Sequence, residues 1–279
     1  MTEMLTLLSN LAVLVFVVTS MLAMGLSLTV KQIIEPLKNI NLVVKALVAN
    51  FLLAPLLAYL ITLVIPLSEP LAVGLILLAT AAGAPFLPKL VQAAKGNIAF
   101  GVGLMVLLMV TTVVYIPIVL PMLLPGVSVN PMDIAGSLIM LMLIPLAIGL
   151  FTNARYTDTA ALLQPTIAQT STTSLITLMV LMLLLNFKSI VGVVGTGGIV
   201  ACILFIAGSF VIGFVLGDPG NGAKPVLGLG TAQRNVSAAL VVAGQNFSDP
   251  NVIVMVLVGA LLMLIILMLT AGELGKRCR

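Results

Sequence analysis

Long apolar runs separated by short polar segments make up almost all of this chain, and two of the runs are interrupted by polar residues at their centres. About 20 consecutive apolar residues are what a helix needs to cross the hydrocarbon core of a bilayer. Runs of this kind cover residues 6–29, 41–65, 71–94, 98–124, 134–153, 159–187, 190–216, 225–244 and 252–271. Leu, Met, Ala and Val dominate them, and the two-residue alternation of a membrane β-barrel is missing. The pattern predicts an all-α polytopic membrane protein of about nine transmembrane helices, with residues 1–279 forming a single domain.

Composition agrees: 61% of residues are hydrophobic and 7% charged, with a mean hydropathy of +1.32, which excludes a soluble domain. Charge adds topology. Lys31, Lys38, Lys45, Lys95, Arg155, Lys224, Lys276, Arg277 and Arg279 fall on one side of the predicted membrane, and Lys188 alone on the other. Basic residues concentrate in cytoplasmic loops, so the C-terminus is expected in the cytoplasm and the N-terminus outside, in a plasma membrane (the inner membrane of a bacterium). The first 27 residues lack the basic start and cleavage site of a signal peptide. No basic stripe interleaved with aromatics suggests nucleic acid. There is no His, and Cys202 and Cys278 read as free thiols, so no metal or other cofactor is expected. An intramembrane enzyme is disfavoured by the absence of HExxH, of a catalytic acid pair and of a Ser–His combination.

The interrupted runs carry the candidate chemistry. In the third, Gly83, Pro85 and Pro88 fall within six residues, and proline removes a helix hydrogen bond and clashes with the preceding turn. In the eighth, Gly228 and Gly230 precede Thr231, Gln233, Arg234 and Asn235. These two broken helices run in opposite directions, the signature of an inverted repeat with a site at mid-membrane. Arg234 sits near the middle of its span, where a charge is costly and marks a substrate or ion path. Lys89 lies in the other broken span. All eight acids fall at span ends or in loops, so the predicted counter-charge of Arg234 and Lys89 is a small organic anion. Arg pairs with such an anion through bidentate bonds. Asn50, Thr231, Gln233 and Asn235 are the expected hydrogen-bonding groups beside it. Burial disfavours a charged lysine, which makes Lys89 the candidate for proton coupling. Other readings stay open: the cations as permanent structural plugs bonded to broken-helix carbonyls, Lys89 snorkelling to the interface, a channel or facilitator, or an efflux carrier. The Thr/Ser run at 166–174 lines a crevice or bonds back to its own helix. Gly192, Gly195, Gly197 and Gly198 permit close packing.

Several stretches resemble the bile acid:sodium symporter family of crossed-helix secondary transporters: AMGLSL (23–28), NFLLAPLLAYL (50–60), LAVGLILLATAAGAP with AAKGN (71–97) and TAQRNVSAAL (231–240). The resemblance implies the nine-span form of that fold. It has a panel of the spans near 6–29, 134–153 and 159–187, and a core of the other six. It also implies alternating access and two sodium ions near the helix crossing. The side chains that bind sodium in the family are replaced here. Gly230 and Arg234 stand where the family has Glu and Gln, Leu87 and Pro88 where it has Ser and Asn, and Gly101 and Met105 where it has two hydroxyl residues. Only Asn50, a Gln in relatives, keeps an oxygen. Sodium is a hard cation that prefers oxygen ligands, so the expectation is an organic anion transporter without sodium coupling; the alternative is a sodium-coupled bile-acid-type symporter.

Overall fold

The computed structural model describes residues 2–123, 131–185, 193, 195–218 and 222–277. Lys188, Gly192, Cys278, Arg279 and the start of the predicted seventh span lie outside them. Helices follow the apolar runs in order. They are α1 (Thr2–Ser27), the short α2 (Val30–Ile34), α3 (Ile40–Val48), α4 (Ala54–Val64), α5 (Glu69–Thr80), α6 (Leu87–Ala93), α7 (Ile98–Leu123) and α8 (Pro131–Leu138). Then come α9 (Ile144–Arg155), α10 (Thr157–Leu185), α11 (Gly198–Leu216), α12 (Ala223–Ala232), α13 (Val236–Asn246) and α14 (Pro250–Arg277). The described residues contain helices, turns and loops, and no strand. Among the described residues six stretches, Ile40–Val64, Ile98–Leu123, Met132–Arg155, Gly198–Leu216, Ala223–Asn246 and Pro250–Lys276, are long and apolar enough to cross a membrane. The protein is an all-α polytopic membrane protein.

Two features depart from straight spans. The predicted third and eighth spans are each two half-helices, α5 with α6 and α12 with α13. Proline explains the first break: Pro85 has no N–H to continue the ladder, and Gly83 adopts a left-handed φ of +79°. An added Cβ at Gly83 would also lie 2.2 Å from the Met109 backbone nitrogen. The second departure is a pair of π-helical turns, Ala49–Leu53 between α3 and α4 and Ile139–Leu143 between α8 and α9.

The broken pieces sit at the centre. Across Ala223–Asn246, 94% of the most apolar window is buried inside the protein, against 33–61% in the other five spans. A membrane helix this enclosed faces protein rather than lipid, which is where non-helical backbone is tolerated. α12 packs on α11, α7, α6 and α14, while α13 packs on α1, α5, α8 and α14. α1 also packs along α9 and α10. Its closest approach is at Gly25 and Gly149, where an added Cβ would lie 2.3 Å from the Leu146 carbonyl oxygen and 2.5 Å from that of Leu22. Small residues let membrane helices touch backbone to backbone in this way.

Candidate functional site

The two breaks meet. The backbone N–H of Asn235 donates to the carbonyl of Ala81 at 2.8 Å, and its side-chain Nδ2 donates to the carbonyl of Gly83 at 2.9 Å. Asn235 also caps α13, its Oδ1 accepting from Ala238 N at 3.1 Å. Pro85 would have been the helical donor to Ala81 and has no hydrogen to give, so the partner comes from the other broken helix. On the far side of the first break, Thr112 of α7 clamps Ala82, its Oγ1 accepting from the Ala82 N–H at 3.0 Å and donating to the Ala82 carbonyl at 3.1 Å.

Arg234 fills the crossing. It is fully buried, and its guanidinium is surrounded by oxygen atoms. Nε donates to the Leu78 carbonyl at 3.1 Å. Nη1 donates to Asn50 Oδ1 at 2.8 Å and to the Thr231 carbonyl at 3.0 Å. Nη2 donates to the Asn50 carbonyl at 3.3 Å and to the carbonyl of Ala79. A guanidinium has five N–H donors, and all five are used.

These acceptors exist because helices end here. Leu78 and Ala79 lie in the last turn of α5, and Thr231 in the last turn of α12, where carbonyls run out of helical partners; the Leu78 carbonyl keeps a 3.3 Å bond from the Ala81 N–H beside the one from Arg234. The C-terminal end of each half-helix also carries the negative end of its dipole toward the cation. The Asn50 carbonyl is released differently. In the π-turn, Ala54 N–H bonds to Ala49 instead of Asn50, which frees the oxygen for Arg234. One residue on, Pro55 cannot donate to the Phe51 carbonyl, and the Tyr115 hydroxyl does so at 2.6 Å. Asn50 Nδ2 donates to Thr231 Oγ1 at 3.2 Å and to the Ala46 carbonyl at 3.0 Å. The result is a cation-shaped oxygen cage with a guanidinium inside it.

The residues standing for the family's other sodium ligands make an apolar contact instead. An added Cβ at Gly230 would lie 3.0 Å from Leu104 Cδ2 and 3.2 Å from Leu87 Cδ2, and one at Gly101 would lie 3.0 Å from Val91 Cγ2. Leucine side chains close over the position where the family has its Glu.

Asn50, Thr231, Arg234 and Asn235 are thus brought together as the sequence suggests, but they spend their hydrogen bonds on each other and on backbone. No N–H of the Arg234 guanidinium is free, so a bidentate grip on a substrate would have to displace bonds within the protein. Gln233 is 7% exposed, and its Oε1 is buried without a hydrogen-bond partner among the described residues. Lys89 is corrected: it is not a buried cation. Its side chain is exposed on α6, with Nζ 5.7 Å from the centre of the Phe86 ring. A short amphipathic α6 turns it outward while Leu87, Leu90 and Val91 take the buried face. Gly83, Pro85 and Pro88 do flank the first break; Gly228 and Gly230 lie within the helical α12, and the chain opens only at Gln233. Gly228 instead admits Phe210, whose ring and backbone would lie 3.1–3.2 Å from an added Cβ. Sequence reasoning missed Thr112 and Tyr115; the signal available was a polar residue inside the otherwise apolar fourth run.

Comparison with known proteins agrees with this architecture. A 161-residue segment is 31% identical to a rice (Oryza sativa subsp. japonica) protein named "Probable sodium/metabolite cotransporter BASS2, chloroplastic"; it covers 56% of this chain and 38% of that protein. The match therefore spans well under half the length of the curated relative. The family model for the "Sodium Bile acid symporter family" matches residues 13–193. With that match over more than half of its length and two broken helices crossing at its centre, the chain belongs to the sodium bile acid symporter family.

Proposed function

We propose that this protein is a secondary transporter that moves an organic anion by alternating access without sodium, with Arg234 serving as a permanently bound cation. The observation that carries the reading is the saturated guanidinium: five donors meet five buried oxygens at the crossing. Free half-helix carbonyls at mid-membrane are the usual ligands of a coupling sodium ion in transporters with broken helices. Here those oxygens are already engaged, and Leu87 and Leu104 close on Gly230. The role of Arg234 in this mechanism is a fixed field. At about 6 Å and an effective dielectric of about 20, one positive charge attracts an anion by about 3 kcal/mol. No acid forms a salt bridge with it among the described residues.

In this reading residues 1–279 work as one unit. The panel of spans near 6–29, 134–153 and 159–187 rocks against the core around the crossing. Lys89, on the exposed face of α6, receives the anion first. Its exposure supports this entry role over a buried one. The cytoplasmic C-terminus follows from the basic loops. The sodium-coupled alternative draws on the name of the rice relative and requires ion ligands other than the ones engaged by Arg234.

Binding of radioactive sodium to the purified protein tests the proposal without knowledge of the substrate. No saturable binding is expected. Saturable binding at physiological sodium concentrations overturns it.

A further inference from the structure

Of the five polar side chains on Asn50 and the 231–235 segment, four are spent. Asn50, Thr231, Arg234 and Asn235 all make hydrogen bonds within the protein. Gln233 differs. It sits between α12 and α13 where the chain is extended, at φ −79° and ψ 109°, and its backbone N–H is satisfied by the Leu229 carbonyl. Its side chain is more than nine-tenths buried, and its Oε1 is shielded from solvent with no partner among the described residues. The other buried unpaired oxygen among the described residues, Ser209 Oγ, lies inside α11, where a hydroxyl can rotate onto its own helix backbone.

A buried polar atom without a partner lowers stability and is retained where a site requires it. The atom is one residue from the buried positive charge of Arg234, on the broken segment that contacts Ala81 and Gly83. We propose that Gln233 is the specificity-determining contact of the transport site, its carboxamide oxygen accepting a hydrogen bond from a hydroxyl or N–H carried by the substrate anion. This rests on the anion-transport reading above. It adds that the substrate is an anion bearing a hydrogen-bond donor, and that a donor-free analogue binds less well because it leaves the oxygen unpaired.

The test is Gln233→Met in the full chain, which keeps volume and removes both polar atoms. Thermal unfolding of both proteins is followed alone and with matched anions: glycolate against acetate, lactate against propionate, mandelate against phenylacetate. Without anion, Gln233→Met is expected to unfold at a higher temperature than the wild type. In the wild type, at least one hydroxy acid is expected to bind about tenfold or more tightly than its partner lacking the hydroxyl. The variant is expected to lose that preference. A variant that unfolds earlier, or fails to fold, overturns the proposal, because the oxygen then serves the fold. Equal responses within every pair, or no response to any of them, also overturn it. Sodium binding is measured without anion and does not involve Gln233, so failure of the broader reading is seen separately.

Discussion

Replacing Arg234 by Gln removes the cation and leaves its cage. The side chain shortens, and the carbonyls of Leu78, Ala79, Thr231 and Asn50, with Asn50 Oδ1, lose the donors they now share. Each orphaned buried acceptor costs about 1–3 kcal/mol. The Leu78 carbonyl keeps the Ala81 N–H, so four are orphaned, and at the low end they give about 4 kcal/mol, in the range of about 3–5 kcal/mol found when one partner of a buried charged group is removed. The new amide and entering water recover part of this. For a protein of this size the remainder corresponds to a fall in unfolding temperature on the order of 10 °C. Thermal unfolding in sodium chloride and in potassium chloride at equal ionic strength reads the effect. The wild type is expected to unfold at the same temperature in both salts. Arg234→Gln is expected to unfold earlier in potassium and to recover part of the loss in sodium, since an ion that binds only the folded state stabilises it by about 2.7 kcal/mol at 100 times its dissociation constant. The reasoning is refuted if the variant is as stable as the wild type, because the five bonds would then contribute nothing. It is equally refuted if sodium stabilises the wild type.

Two further substitutions examine how the crossing is held. Gly83→Ala places a Cβ 2.2 Å from Met109 N at a φ of +79° and is expected to destabilise by more than the ~1–2 kcal/mol cost of left-handed backbone alone; Gly136→Ala, with nothing within 4 Å in α8, is the control and should be neutral or stabilising by up to ~1 kcal/mol in the same unfolding assay. Tyr115→Phe deletes the donor to the Phe51 carbonyl at 2.6 Å while keeping the ring contact with Phe51 at 4.8 Å, and a loss of about 1–3 kcal/mol is expected; an unchanged unfolding temperature shows that water replaces the hydroxyl.

The sequence by itself determined the class of molecule, which two spans are broken, the place of the first break and the presence of a buried cation at Arg234. Those are local properties. An apolar run long enough to cross a bilayer must form its hydrogen bonds internally, Pro85 cannot donate one, and an Arg ten residues inside a span has no acid near it in sequence. The departures at Gly230, Leu87 and Arg234 were also legible, as oxygen ligands replaced by other groups. What the tertiary structure decided is where the charge goes. The acceptors of Arg234 at Leu78, Ala79 and Asn50 are 155–184 residues away along the chain, and four of the five are backbone carbonyls, which no residue type announces. Their availability comes from a helix end and a π-turn, and the π-turn is invisible in the apolar pattern. Lys89 shows the same limit from the other direction. Its depth along the third run suggests burial, yet α6 rotates it outward, because which face of a short helix is covered depends on neighbours that only the folded chain brings together.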